Sequence, residues 1–95
     1  MTDRQATCRC GKLIVRTRGE PVRVSICHCL ACQKRTGSVF GMQARFPSDA
    51  VTIEGQSREY AQAGDSGSIA RFRFCGDCGA TVSWQADALP GFVTV

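Results

Sequence analysis

Seven cysteines in a chain of 95 residues constrain this sequence more than any other feature. A core of this size buries only about two-thirds of the chain surface and usually needs reinforcement. The first residues carry no apolar segment typical of a secretory signal, so we expect a cytoplasmic protein with reduced thiols. An odd number of cysteines also cannot all pair as disulfides, which favours metal ligation over a disulfide framework.

The charge and the hydropathy pattern argue against two classes of partner. The formal net charge is +4, but seven thiolates and two Zn²⁺ ions together would bring it to about +1. A net charge this small gives little support for nucleic-acid binding. No apolar stretch approaches the roughly 18–20 residues of a membrane span. We therefore expect neither a nucleic acid nor a membrane as partner, and the sequence does not indicate an oligomeric state.

The apolar residues mostly alternate with polar ones, which predicts strands. Val22, Val24 and Ile26 share one face of such a strand. Many short strands separated by turn residues indicate an antiparallel, mainly β domain over residues 1–95. Its core is expected to contain Phe40, Phe46, Phe72, Phe74 and Trp84. One short helix is predicted over residues 29–36, ended by Gly37, and a loop over residues 64–68. The predicted strands cover residues 13–18, 22–27, 40–46, 51–54, 57–61, 69–74, 81–85 and 92–95.

The cysteine spacing suggests two metal sites of different kinds. Cys-x-x-Cys followed by glycine is typical of a zinc knuckle, which supplies half of a tetrahedral site. The first pair, Cys8 and Cys10, and the last pair, Cys75 and Cys78, together make a closed four-thiolate site. The middle group then offers three thiolates with an open position, as in catalytic zinc sites. A zinc ribbon, formed by Cys29 and Cys32 together with Cys75 and Cys78, stays open as an alternative. The groups are Cys8 and Cys10; Cys27, Cys29 and Cys32; and Cys75 and Cys78.

The single histidine, His28, lies between two of these cysteines. The neighbouring side chains use the directions that converge on a metal ion, so we expect His28 to point away from it.

These motifs resemble those of the glutathione-dependent formaldehyde-activating family. The similarity rests on Cys-x-Cys-Gly at residues 8–11, Cys-His-Cys-x-x-Cys with a basic pair and Thr-Gly at residues 27–37, and Phe-Cys-x-x-Cys-Gly at residues 74–79. It implies a small antiparallel zinc-binding β-tent (Mss4-like) domain with two Zn²⁺ ions. It also implies a structural zinc at Cys8, Cys10, Cys75 and Cys78, and a second zinc at Cys27, Cys29 and Cys32. Family members usually continue past residues 92–95, so we expect this domain to lack the family's C-terminal tail.

The resemblance further implies a carbon–sulfur lyase that forms S-hydroxymethylglutathione from glutathione and formaldehyde, or breaks it down to them. The thiol would bind the open zinc of Cys27, Cys29 and Cys32, the catalytic residues. Lys34 and Arg35 are the expected contacts of the glutathione carboxylates, with solvated charges on the helix surface as the alternative. Arg71 and Arg73 share a sheet face, and the same two interpretations apply to them. A non-catalytic protein-binding module and a redox-sensing or metal-storage zinc site are the alternatives.

Overall fold

Two antiparallel sheets form the fold in the computed structural model, which describes residues 2–64 and 67–95. The smaller sheet has the strand order β1-β2-β5, and the larger sheet has the order β3-β4-β9-β8-β7-β6. The elements are β1 (Asp3–Thr7), β2 (Ile14–Arg18), β3 (Arg23–Cys27), α1 (Leu30–Thr36), β4 (Gly41–Pro47), a 3₁₀ turn (Ser48–Ala50), β5 (Val51–Glu54), β6 (Arg58–Ala63), β7 (Ile69–Phe74), β8 (Thr81–Ala86) and β9 (Phe92–Thr94).

The predicted fold class is confirmed: the described chain is mainly β, with antiparallel pairing and one α-helix. The strand β1 was missed, because its sequence Asp-Arg-Gln-Ala-Thr has no apolar alternation and it lies exposed at the edge of the smaller sheet. Of the predicted loop over residues 64–68, Asp65 and Ser66 lie outside the described residues. Within the described part of the chain, no helix is long and apolar enough to cross a membrane.

The core is small and contains two of the cysteines. Leu13, which directly precedes β2, and Val15 of β2 are fully buried and pack with Cys8, Cys75 and Val82 in one cluster. Two of the four thiols of one predicted metal site therefore lie inside the hydrophobic core, whereas Cys10 of the same site is exposed. A metal ion bound there would cross-link the two sheets where they are in closest contact.

The larger sheet extends beyond the smaller one, so part of its apolar surface is exposed, and this corrects the expectation that the aromatic residues lie in the core. Val22, Val24 and Ile26 do share a face, but each is more than half exposed, because β3 is an edge strand and the smaller sheet packs over β8 instead. Of the aromatic residues predicted near the core, only Phe46 is fully buried. Phe72 and Trp84 are half-buried and form a tilted pair with ring centroids 5.6 Å apart.

Candidate metal centres

Four thiols from distant parts of the chain meet in one group. The ligand atoms of Cys8, Cys10, Cys75 and Cys78 all lie within 4.8 Å of one another. The Sγ atoms of Cys8 and Cys10 are 3.6 Å apart, and those of Cys10 and Cys75 are 3.7 Å apart. Tetrahedral Zn²⁺ with Zn–S bonds of ~2.3 Å requires S···S separations of about 3.8 Å. The donor set and its spacing therefore fit a closed four-thiolate zinc site.

Backbone N–H groups hold these sulfur atoms from outside the group. Leu13 donates its N–H to Cys8 Sγ at 3.2 Å, and Asp77 donates its N–H to Cys75 Sγ at 3.4 Å. The backbone N–H of Ala80 is the main cause that lowers the pKa of the Cys78 thiol to about 6. Hydrogen bonds to sulfur favour the thiolate, which is the form that binds metal.

The second group has three thiols around the beginning of α1. Cys27 ends β3, Cys29 is the N-cap of α1, and Cys32 lies in the first turn of the helix. Their sulfur atoms also lie within 4.8 Å of one another, and no fourth Cys, His, Asp or Glu of the described residues joins them. This arrangement can hold a metal ion with three protein ligands and leave one position for another molecule.

The local structure gives Cys29 and Cys32 different properties. Cys29 is exposed, and its Sγ accepts the N–H of Cys32 at 3.4 Å. This hydrogen bond is the main cause that lowers the pKa of Cys29. Burial instead raises the pKa of Cys32 to about 11. Cys29 is thus the thiol of this pair that is more readily ionised and more open to solvent.

The zinc ribbon considered as an alternative is wrong, because Cys75 and Cys78 meet the thiols of Cys8 and Cys10 rather than those near α1. His28 belongs to neither group. Its ring lies 5.8 Å from that of Phe40, and its carbonyl accepts a hydrogen bond from the side chain of Gln33. The spacing pattern could not decide this partition, which depends on how the sheets bring the ends of strands together.

Two adjoining cavities lie on the outer face of the larger sheet, and one of them borders the three-thiol group. One has a volume of about 520 Å³ and is lined by Cys29 and the first residues of α1. The other has a volume of about 450 Å³ and is lined by Lys34, Arg35 and Tyr60. Both are within the usual range of about 300–1,000 Å³ for small-molecule sites. Residues that line both are Ala31, Gln62 and Phe72.

Arg35 connects the three thiols with the second cavity. Its guanidinium lies 5.8 Å from the centroid of the Phe72 ring, a cation–π distance. Its Nη2 also lies 3.9 Å from Cys32 Sγ. Lys34 lines the same cavity from the next position along the helix. The structure thus brings both cationic residues predicted from the sequence to a cavity beside the three-thiol group.

Sequence reasoning missed Gln62 and Phe72 as cavity residues. Both lie on strands that reach the helix only through the sheet pairing, so no local motif includes them. Arg71 and Arg73, which were considered together with Lys34 and Arg35, alternate with Phe72 along β7 and therefore point to the opposite face of the sheet. They are not part of this site.

Comparison with known proteins gives one family. The family model described as glutathione-dependent formaldehyde-activating enzyme matches residues 3–95. No curated protein sequence matches the chain.

Proposed function

Because the chain belongs to the glutathione-dependent formaldehyde-activating enzyme family, we propose that it is a zinc-dependent carbon–sulfur lyase acting on adducts of glutathione with formaldehyde or a related aldehyde. The observation that carries this proposal is the difference between the two thiol groups. One is complete with four thiols, two of them buried, whereas the other has three thiols and an exposed Cys29 that lines a cavity. The first suits a structural ion and the second a catalytic one.

The ligands of the catalytic ion in this proposal are Cys27, Cys29 and Cys32. Zinc bound there would supply one open position that takes the thiol of glutathione and stabilises it as a thiolate. The N–H of Cys32 assists by donating to Cys29 Sγ, which favours the ionised form of that ligand. The helix α1 holds Cys29 and Cys32 one turn apart, so both reach the same point.

The cavities provide the means to bind and orient the rest of glutathione. Glutathione carries two carboxylates, and Lys34 and Arg35 line the 450 Å³ cavity beside the thiols. Arg35 suits a carboxylate because its planar guanidinium can donate two parallel hydrogen bonds. The adjoining cavity is the more apolar in its lining residues and leaves room for the aldehyde next to Cys29. Holding both reactants at one place makes their encounter effectively unimolecular.

The test measures zinc content and turnover in the same preparation. We expect about two zinc ions per chain by elemental analysis, and about one after Cys29→Ser. Exchange between free and glutathione-bound ¹³C-formaldehyde, followed by NMR, should be accelerated by the protein and lose that acceleration in Cys29→Ser.

Two arginine variants separate binding from chemistry. Arg35→Gln should raise the apparent KM for glutathione by roughly tenfold, the effect of losing one charge-assisted hydrogen bond. Arg23→Gln, which removes an exposed arginine of β3, is the matched control and should leave the KM unchanged. A protein with two zinc ions and no acceleration would refute the lyase proposal and favour the protein-binding alternative.

A further inference from the structure

A separate cleft opens between the two sheets, on the face of β7 that Phe72 does not occupy. Its volume is about 310 Å³. Side chains from both sheets and from the segment that follows β5 surround it. They include Ile53, Ser57, Arg71, Arg73, Ser83 and Val93. None of the cysteines lines this cleft, so it is distinct from the two thiol groups.

Arg73 is the unusual group in this cleft. It is half-buried, and its Nη1 donates to Ser57 Oγ at 3.3 Å. No ion pair joins it to any carboxylate within residues 2–64 and 67–95. Glu59 lies opposite Arg73 in the β6–β7 ladder, but its carboxylate is 3.7 Å from Arg71 instead.

Arg71, which lines the same cleft, differs from Arg73 because it forms ion pairs with carboxylates. Its guanidinium donates to both carboxylate oxygens of Asp87, at 3.1 and 3.2 Å, and also lies near Glu59. Its charge is thus balanced by two carboxylates, while the charge of Arg73 has no such partner in the described chain. Arg73 therefore gives the cleft its uncompensated positive charge.

Ser83 provides the second, independent observation. It is 2% exposed, and its Oγ has no hydrogen-bond partner among the described residues. It lies directly opposite Arg73 in the β7–β8 ladder, where side chains on the same face are about 5 Å apart. A buried hydroxyl is usually hydrogen-bonded, so an unpaired one that lines a cleft points to a missing partner.

We propose that this cleft binds a small oxyanion, a carboxylate or a phosphate group, through Arg73, Ser57 and Ser83. The guanidinium can donate two parallel hydrogen bonds to such a group, and the two hydroxyls can each donate one more. Ile53 and Val93 leave an apolar border that suits a small organic acid or phosphate ester rather than a large ligand. The site lies on the other side of the sheet from the proposed lyase centre and does not depend on it.

The experiment titrates the zinc-loaded protein with two probes, acetate and inorganic phosphate, at constant ionic strength. Binding is followed by the ¹⁵N–¹H signals of the Arg73 side chain and of the Ser83 backbone. We expect saturable shifts at these two residues, and the stronger of the two probes identifies the class of anion. Arg73→Gln and Ser83→Ala should each weaken binding, the former by roughly tenfold or more.

Two controls make the outcome decisive. Arg23→Gln removes an exposed arginine elsewhere on the same sheet and should leave binding unchanged, so an equal loss in this variant would overturn the proposal in favour of non-specific charge attraction. Cys29→Ser should also leave binding unchanged. Binding that survives Arg73→Gln but disappears in Cys29→Ser would assign the anion to the three-thiol group and refute the cleft. Absence of saturable shifts with both probes would refute it as well.

Discussion

Replacing Gly55 by alanine should destabilise this protein through one defined contact. Gly55 follows β5 with φ +95°, and a Cβ atom there would lie 2.2 Å from the carbonyl oxygen of Lys12. Real Cβ atoms stay beyond 3.0 Å from such atoms. The backbone of Lys12 and Leu13 would therefore have to move. This segment donates the N–H of Leu13 to Cys8 Sγ, so the movement reaches the four-thiol group.

The expected magnitude has two parts. Positive φ costs a non-glycine residue about 1–2 kcal/mol, and forced displacement of well-packed neighbours costs about 1–3 kcal/mol more. Gly55→Ala should thus lower the free energy of unfolding by about 2–5 kcal/mol. Gly91→Ala is the matched control, because Gly91 has φ +85° but a Cβ atom there would meet nothing within 4 Å. Gly91→Ala should lower the free energy of unfolding only by the cost of positive φ, about 1–2 kcal/mol.

The assay is thermal unfolding at a fixed free zinc concentration, because zinc binding itself raises the melting temperature. For a domain of this size, 1 kcal/mol corresponds to a Tm change of about 4–8 °C. Gly55→Ala should melt several degrees below Gly91→Ala, and competition with a chromophoric chelator should show weaker zinc retention. Equal Tm losses in the two variants, with equal zinc retention, would refute the steric argument and its link to the four-thiol group.

Three further outcomes follow from the structure. A chelator should remove metal in two phases, as measured by absorbance. The fast phase comes from the three-thiol group, where Cys29 is exposed, and the slow phase from the four-thiol group, where Cys75 is buried. A single phase would contradict this. Gly41→Ala should raise the KM for glutathione with a loss of stability below about 1 kcal/mol. Its Cβ would come too close only to the flexible end of Arg35, at 2.8 Å, and would contact Cys32 and Thr36 at an ordinary 3.5 Å. An unchanged KM would show that displacing Arg35 does not affect glutathione binding. Val24→Thr should change the unfolding free energy by no more than about 0.5 kcal/mol, since Val24 is 62% exposed; a larger loss in thermal unfolding would mean that this face is covered.

The sequence predicted the parts of the fold that local patterns determine. Alternation gave the central strands, and Gly37 was rightly expected to end the helix, since it adopts φ +67° there. The number of cysteines suggested a four-thiol and a three-thiol group, but a zinc ribbon would have divided seven cysteines in the same proportion. Which thiols meet is decided by the strand pairing. Periodicity, however, tells only which residues share a face. It could not tell that the face of Val24 is exposed, which depends on how far the smaller sheet extends.

The three thiols of the candidate site were predictable as a group, whereas the residues around them were less so. Arg35 lies three residues after Cys32, a helical spacing that places it near the thiols, so its neighbourhood could be inferred from the sequence. Phe72 reaches the same cavity only through the strand pairing, which no local motif encodes. The separate role of Arg73 was hidden for a similar reason, because its lack of a carboxylate partner depends on which arginine Glu59 and Asp87 bind.

The two thiol groups differ in when they can be assembled during synthesis of the chain. Cys27, Cys29 and Cys32 lie in one short segment, so all three thiols are available as soon as that segment leaves the ribosome. Cys10 and Cys75 are 65 positions apart, so the four-thiol group must wait for most of the chain and must close a long loop. We therefore expect the three-thiol group to acquire metal first, and the four-thiol group to acquire it only as the two sheets come together.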